Sequence, residues 1–173
     1  MKKVTLIFIS LLVIFTISSN VKAQSRVLTV PGGTGTATAH IVEPLVITKV
    51  ADLAFGNIAA GTASGIVVID TDGNRMGDGG ITLITAGSVS NAANFSLTGY
   101  PEATFTIELP ASILITSDDN QMTVDNFISS LGETSSLDEM GEANLNVGAT
   151  LNVEPNQTPG LYEGTFDVTV AYN

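Results

Sequence analysis

Gly160-Leu161-Tyr162-Glu163-Gly164-Thr165-Phe166-Asp167-Val168-Thr169-Val170-Ala171-Tyr172-Asn173 is the stretch on which the reading of this chain turns. Tyr162, Phe166, Val168, Val170 and Tyr172 fall on alternate positions, and Glu163, Thr165, Asp167, Thr169 and Ala171 stand between them. Successive side chains of a strand point to opposite faces, so the stretch reads as a strand with one buried and one wet face. It predicts that Phe166 and Val168 face a core and that Asp167 and Thr169 face water. A final strand this regular implies that the core needs it.

The same pattern recurs upstream. Leu145, Val147, Ala149, Leu151 and Val153 form a second alternating stripe, and Phe105, Ile107 and Leu109 a third. Ile66 to Ile69 is a continuous apolar run, as in a strand buried on both faces. Leu53 to Phe55, Ile81 to Ile84, Phe95 to Thr98, Ile113 to Thr116 and Met122 to Asp125 are further short extended segments, divided by turn residues. Asp70 to Gly80 reads as a polar, Gly-rich loop, and Leu131 to Met140 as the one place for a turn of helix. Thr36 to Val50 is expected to be the first long extended segment. In it Ala37, Ala39 and Ile41 alternate with Thr36, Thr38 and His40. Pro44 lacks a ladder donor, so this segment bends there or runs along an edge. Many short strands with turn signals, and no helical crossovers, predict an all-β antiparallel sandwich or barrel.

The first 23 residues read as a secretory signal peptide. Lys2 and Lys3 precede an apolar run from Val4 to Ile17, and Val21-Lys22-Ala23 precedes a cut before Gln24. Gln24 to Gly35 reads as a flexible arm broken by Pro31-Gly32-Gly33. Residues 36–173 form a single domain, in which 36–50 is a donor or edge strand. Cleavage leaves Arg26, Lys49 and Arg75 against 17 acidic residues. So acidic a chain repels nucleic acid and anionic membrane. It has no cysteine, which excludes disulfides, thiol chemistry and Cys-ligated zinc. The expected location is the periplasm, cell surface or extracellular space.

Few side chains suggest reactive chemistry. Asp70, Asp72, Asn74 and Asp78 put oxygen ligands on a tight stretch suited to Ca²⁺. The EF-hand order fails there, because Arg75 stands where a Gly is needed and Ile81 where a bidentate Glu is needed. Asp-Gly also makes hairpin turns without metal. The lone histidine, His40, lies in an Ala/Thr segment with no visible partner. No Gly-x-Ser-x-Gly elbow is present, and the paired acids Asp138 and Glu139 sit in a polar stretch. The chain therefore reads as non-enzymatic, with no cofactor. The glycosylation sequons at Asn94 and Asn156 read as chance in a bacterial protein.

Over nearly all of its mature length the chain resembles an exported bacterial β-domain family of unknown function. The residues that carry this are Ala37-Thr-Ala39, Pro44-Leu-Val-Ile-Thr-Lys49, Asp52-Leu-Ala-Phe-Gly-Asn-Ile58, Phe95-Ser-Leu-Thr-Gly99, Met122-Thr-Val-Asp-Asn-Phe127, Leu145-Asn-Val-Gly-Ala-Thr-Leu151 and Tyr162-Glu-Gly-Thr-Phe166 through Tyr172-Asn173. The C-terminus is also similar to the terminal zipper of chaperone–usher pilins. There a Gly opens the last strand, large apolar residues alternate, and the penultimate residue is Tyr. Gly160, Tyr162, Phe166, Val168, Val170 and Tyr172 match those roles. The chain departs from many such pilins in lacking a disulfide.

The second resemblance implies an immunoglobulin-like, pilin-like sandwich whose last strand borders a groove. A periplasmic chaperone would fill that groove first, and the arm of the next subunit afterwards. The arm would be Thr36 to Ile47, offering Ala37, Ala39 and Ile41. The first expectation is thus a structural or surface subunit that self-assembles by strand complementation. The second is a self-complete extracellular binding or adhesion domain, with Thr36 to Val50 paired within its own chain and contacts borne on loops such as Asp70 to Gly80.

Overall fold

Val, Ile, Thr and Phe dominate the extended segments, and such residues suit a pleated, half-buried surface. The computed structural model of the protein describes residues 32–173. The expected signal peptide, its cleavage point and residues 24–31 of the arm lie outside the described residues. The chain divides into two units, one ending at Ala39 and one running from His40 to Asn173. Residues 32–39 of the first are exposed and carry no regular structure.

The second unit holds ten strands: β1 (Val46–Ala51), β2 (Asn57–Ile69), β3 (Arg75–Ile84), β4 (Ala93–Thr98), β5 (Thr104–Glu108), β6 (Ser112–Ser117), β7 (Asn120–Ser129), β8 (Thr134–Ser136), β9 (Glu142–Val153) and β10 (Thr169–Tyr172). All pairings are antiparallel, and no helix occurs among the described residues. Seven strands form one sheet, with the path β1-β4-β9-β2-β3 and the β6–β7 hairpin joined to β9. The other sheet has the order β10-β5-β8.

The long strand β9 organises the larger sheet. Along one edge it pairs first with β4, through Glu142 to Val147, and then with β2, through Ala149 to Val153. Its other edge pairs with β7. Because β9 has neighbours on both edges and an alternating stripe of Leu145, Val147, Ala149, Leu151 and Val153, that stripe is buried throughout.

Two apolar clusters result, and they differ in what covers them. In the first, Ala93, Leu97, Leu145 and Val147 of the larger sheet meet Phe105 and Ile107 of the smaller one, with Leu137 between. Phe166, Val168, Val170 and Tyr172 pack against this cluster. The second contains Val67, Val124, Ala149, Leu151 and Val153, all from the larger sheet. Its surrounding side chains, among them Leu53, Phe55, Ile58, Ile113, Ile115 and Met122, are only half-buried. No residue of β5, β8 or β10 reaches it.

Several expectations are corrected by these pairings. The first strand begins at Val46, not Thr36, because residues 32–45 find no pairing partner. The expected Asp70 to Gly80 loop shrinks to a turn, since Arg75 to Gly80 already belong to β3. Gly77, Gly79 and Gly80 add no side chain for an alternating pattern to show, so only the Ile81 to Ile84 half of this strand is legible in the sequence. Leu131 to Met140 contains the short strand β8 in place of a helical turn. Leu53 to Phe55 contributes an isolated bridge, Ala54 to Asn91. The last strand is interrupted: Glu163 bridges to Thr116 of β6, and regular pairing resumes only at Thr169, opposite Glu108 of β5.

Candidate functional site: an open apolar groove

The uncovered second cluster is the floor of a groove of about 1140 Å³. One wall runs from Lys49 and Ala51 of β1, through residues 52–56, to Ala60 of β2. The other is the C-terminal segment from Gln157 to Phe166. Ile113 and Ile115 of β6, Met122 and Val124 of β7, and Leu151 and Val153 of β9 line the floor, with Ala93 and Phe95 of β4 at one end. A volume of this size exceeds the roughly 300–1,000 Å³ of ordinary small-molecule sites.

Backbone as well as side chains is free here. β1, which supplies Lys49 and Ala51 to one wall, is an edge strand of the larger sheet. In the C-terminal segment, both backbone polar groups of Glu163 bond to Thr116, at 2.9 and 3.0 Å. Backbone groups alternate in direction along an extended chain, so those of Tyr162 and Gly164 point away from β6. An unpaired edge of this kind is a template for another strand.

The sequence places the C-terminal wall by specific contacts. The Tyr162 hydroxyl donates to the carbonyl of Thr158 and accepts from Gln157 Nε2, both at 2.8 Å. Gln157 also donates to the carbonyl of Gln121 at 3.3 Å. Gly164 lies hard against β6: a Cβ there would stand 2.7 Å from the Leu114 carbonyl oxygen and 2.9 Å from Ile115 Cγ2, closer than van der Waals contact. Phe166 meets Phe127 in a tilted contact at 5.1 Å between ring centroids and Phe95 edge-on at 6.2 Å. Tyr162, Phe166, Val168, Val170 and Tyr172 are all half-buried, whereas Glu163, Thr165, Asp167, Thr169 and Ala171 are exposed. Gly160, at the start of the stretch, also lines the groove.

The opposite wall depends on a residue that the sequence did not single out. The Arg75 guanidinium donates to the carbonyls of Phe55, Asn57 and Ile84 and to Ser88 Oγ, at 3.1–3.3 Å. Gly56, at φ +73°, lies under this clamp, where any Cβ would collide with Ser88 Oγ and the guanidinium. A signal was present in Phe55-Gly56-Asn57, but the clamp itself joins residues up to 20 positions apart. Lys49 and Asp52 at the rim form an ion pair at 2.6 Å between exposed side chains, which contributes little stability.

The other candidate residues lie elsewhere. Ala37, Ala39 and Ile41 are exposed. His40 is exposed too, its ring edge-on to Tyr100 at 5.8 Å. Asp70 closes its own turn: its carboxylate accepts from the backbone of Asp72 and Asn74 and from Asn74 Nδ2, at 2.8–2.9 Å. The Asn74 side chain and backbone hold the Asp70 carboxyl below its ordinary value, with help from the backbone of Asp72 and Gly73 against a small opposing effect of burial. Asp78 is opposite Ile66 in the β2–β3 ladder, well along the strand from that turn. Among the described residues no three His, Cys, Asp or Glu gather as a metal-ligand set. A smaller depression of about 270 Å³ lies by Glu43, Pro44, Thr98 and Met140.

Fold and groove together define an all-β protein of two antiparallel sheets with an apolar cleft between free strand edges. The chain belongs to the DUF4402 family, a domain of unknown function, which matches residues 45–172. No curated protein matches it. The matched span holds the whole groove. It begins after Ala37, Ala39 and Ile41, which leaves the candidate donor residues outside the family domain.

Proposed function

We infer that the protein is an exported, non-enzymatic structural subunit, a pilin-like β-sandwich completed by a strand that enters its groove. The observation that carries this is the second apolar cluster, which lacks a covering layer and is flanked by free strand edges. An added strand bonds to those edges through its backbone and seats alternate side chains on the floor, which provides affinity and register together. The signal-like first 23 residues and the acidity of the chain suit a role outside the cytoplasm. A second reading, a self-complete extracellular binding domain, draws on the pairing of β1 with β4 within one chain.

The absence of cysteine makes the test direct. Ala60 is half-buried, packs against the second apolar cluster and lines the groove. An Ala60→Cys chain should react with a maleimide as an isolated subunit and be protected in material recovered from the surface of cells that export it. Equal labelling in both states would favour the self-complete domain.

A further inference from the structure

We propose that a second, smaller surface, where the chain enters β1, docks a polypeptide segment of another protein that presents a Lys or Arg beside apolar residues. The surface is separate from the groove, because none of the residues around its depression lines the groove.

Apolar side chains are left uncovered there. Pro44, Val46 and Met140 wall the depression of about 270 Å³. Met140 is 78% exposed and Val46 47%. Val42 and Tyr100, each next in sequence to a lining residue, are exposed as well and widen the apolar surface. Apolar side chains gathered in this way inside a polar rim mark interaction sites. The floor is backbone. Gly99 and Gly141 meet there, and the Gly99 N–H donates to the Gly141 carbonyl at 2.9 Å. Gly141 stands at φ +78°, and a Cβ on it would collide with the Gly99 carbonyl. The Asp138 carboxylate fixes the adjoining turn by accepting from the backbone of Met140 and Glu142, at 2.9 and 2.8 Å. The surface is thus held in shape before anything binds, which lowers the cost of binding.

Charge selects the occupant. Glu43 and Glu142 also line the depression. Their bonds within the fold are made by backbone: the Glu43 carbonyl accepts from Tyr172, and the Glu142 N–H donates to Asp138. Their exposed carboxylates have no ion-pair partner among the described residues. A Lys or Arg side chain fits both halves of the surface. Its aliphatic stem packs on Pro44, Val46 and Met140, and its cation reaches the carboxylates. The depression is smaller than the roughly 300–1,000 Å³ of small-molecule sites and has room for one long side chain. A second copy of this chain is a poor occupant. Of the three cations left after cleavage, Lys49 is paired with Asp52 and Arg75 is spent on the groove wall, which leaves Arg26 against 17 acids. Two such bodies repel each other.

The probe is a short fluorescein-labelled peptide of alternating Lys and Leu, titrated against the exported full-length chain by fluorescence anisotropy. It should bind, and a peptide of alternating Glu and Leu should not. Glu43→Gln and Glu142→Gln in one chain should weaken binding about tenfold or more. Met140→Ser, which leaves the charge alone, should weaken it about threefold or more. Asp118→Asn with Asp119→Asn removes the same charge from the β6–β7 turn, and should change the affinity less than about twofold. Alkylating an Ala60→Cys chain with N-ethylmaleimide, which obstructs the groove, should leave binding unchanged. All these side chains outside the groove are exposed, so their variants should keep the wild-type melting temperature. Equal losses in the two charge variants would mean attraction to the acidic body as a whole, and would overturn the proposal. Loss of binding on alkylation would place the peptide in the groove, which overturns the proposal and leaves the strand-acceptor reading standing. Binding that appears only with Arg26→Gln would mean that the chain's own arm fills the depression, and would overturn it too. So would the absence of binding by every form of the chain.

Discussion

The hydroxyl of Tyr172 donates to the backbone carbonyl of Glu43 at 3.1 Å, joining two residues 129 positions apart. The same oxygen accepts from the backbone N–H of Tyr100 at 2.7 Å. The penultimate side chain thus fixes the point where the exposed N-terminal residues meet the folded sheets. Its ring packs against the first apolar cluster, and its polar end reaches backbone groups that would otherwise face only solvent.

Tyr172→Phe keeps the ring and removes both hydrogen bonds. It should destabilise the protein by about 1–2 kcal/mol, measured by denaturant unfolding. Amide exchange at Tyr100 should quicken as well. Unchanged exchange there would mean that the hydroxyl bonds contribute nothing to holding the two ends together.

The C-terminal register makes a contrast between neighbours. Phe166→Ala removes a half-buried ring from contact with Phe95 and Phe127, and should cost about 2–4 kcal/mol. Thr169→Ala alters an exposed side chain and should cost about 0.5 kcal/mol or less. Similar losses at both sites would mean a strand slipped by one residue.

Arg75 is expected to be irreplaceable by another cation. Arg75→Lys keeps the charge but cannot reach four acceptors with one ammonium, and should cost about 1–2 kcal/mol. Gly56→Ala should be damaging for two reasons, its left-handed backbone and the Ser88 and Arg75 atoms in the way. Wild-type stability of Gly56→Ala in thermal melts would show that the groove wall can shift to admit a methyl group.

The lowered Asp70 carboxyl sets the sign of one pH effect. Between its folded and ordinary values the unfolded chain binds more protons, so stability from this group rises with pH and is lost as pH falls through the folded value. The stability gap between wild type and Asp70→Asn should therefore be widest above the ordinary Asp range and narrow on acidification. A gap constant with pH would contradict this.

Calcium is expected to leave the melting temperature unchanged, because Asp70 already caps its own turn and Asp78 lies along β3. A ligand bound only by the native state must raise its stability. A calcium-dependent rise abolished by Asp72→Ala would make the turn a metal site.

By itself the sequence determined the all-β class, the facing of the β9 stripe and the inward set Phe166, Val168, Val170 and Tyr172. Each of these follows from neighbours two residues apart, and strand alternation is written at that distance. The Asp70 turn was legible for the same reason, since its hydrogen bonds span at most four positions. Residues 75–80 were not, because glycines leave no apolar period. Only the tertiary structure decided where the first strand starts, which strands are edges, and that Lys49 to Ala60 stands across a groove from Gln157 to Phe166. Those outcomes depend on the partners that β9, β1 and the C-terminal segment find far away in the chain. The groove exists because the smaller sheet covers one apolar cluster and stops short of the other.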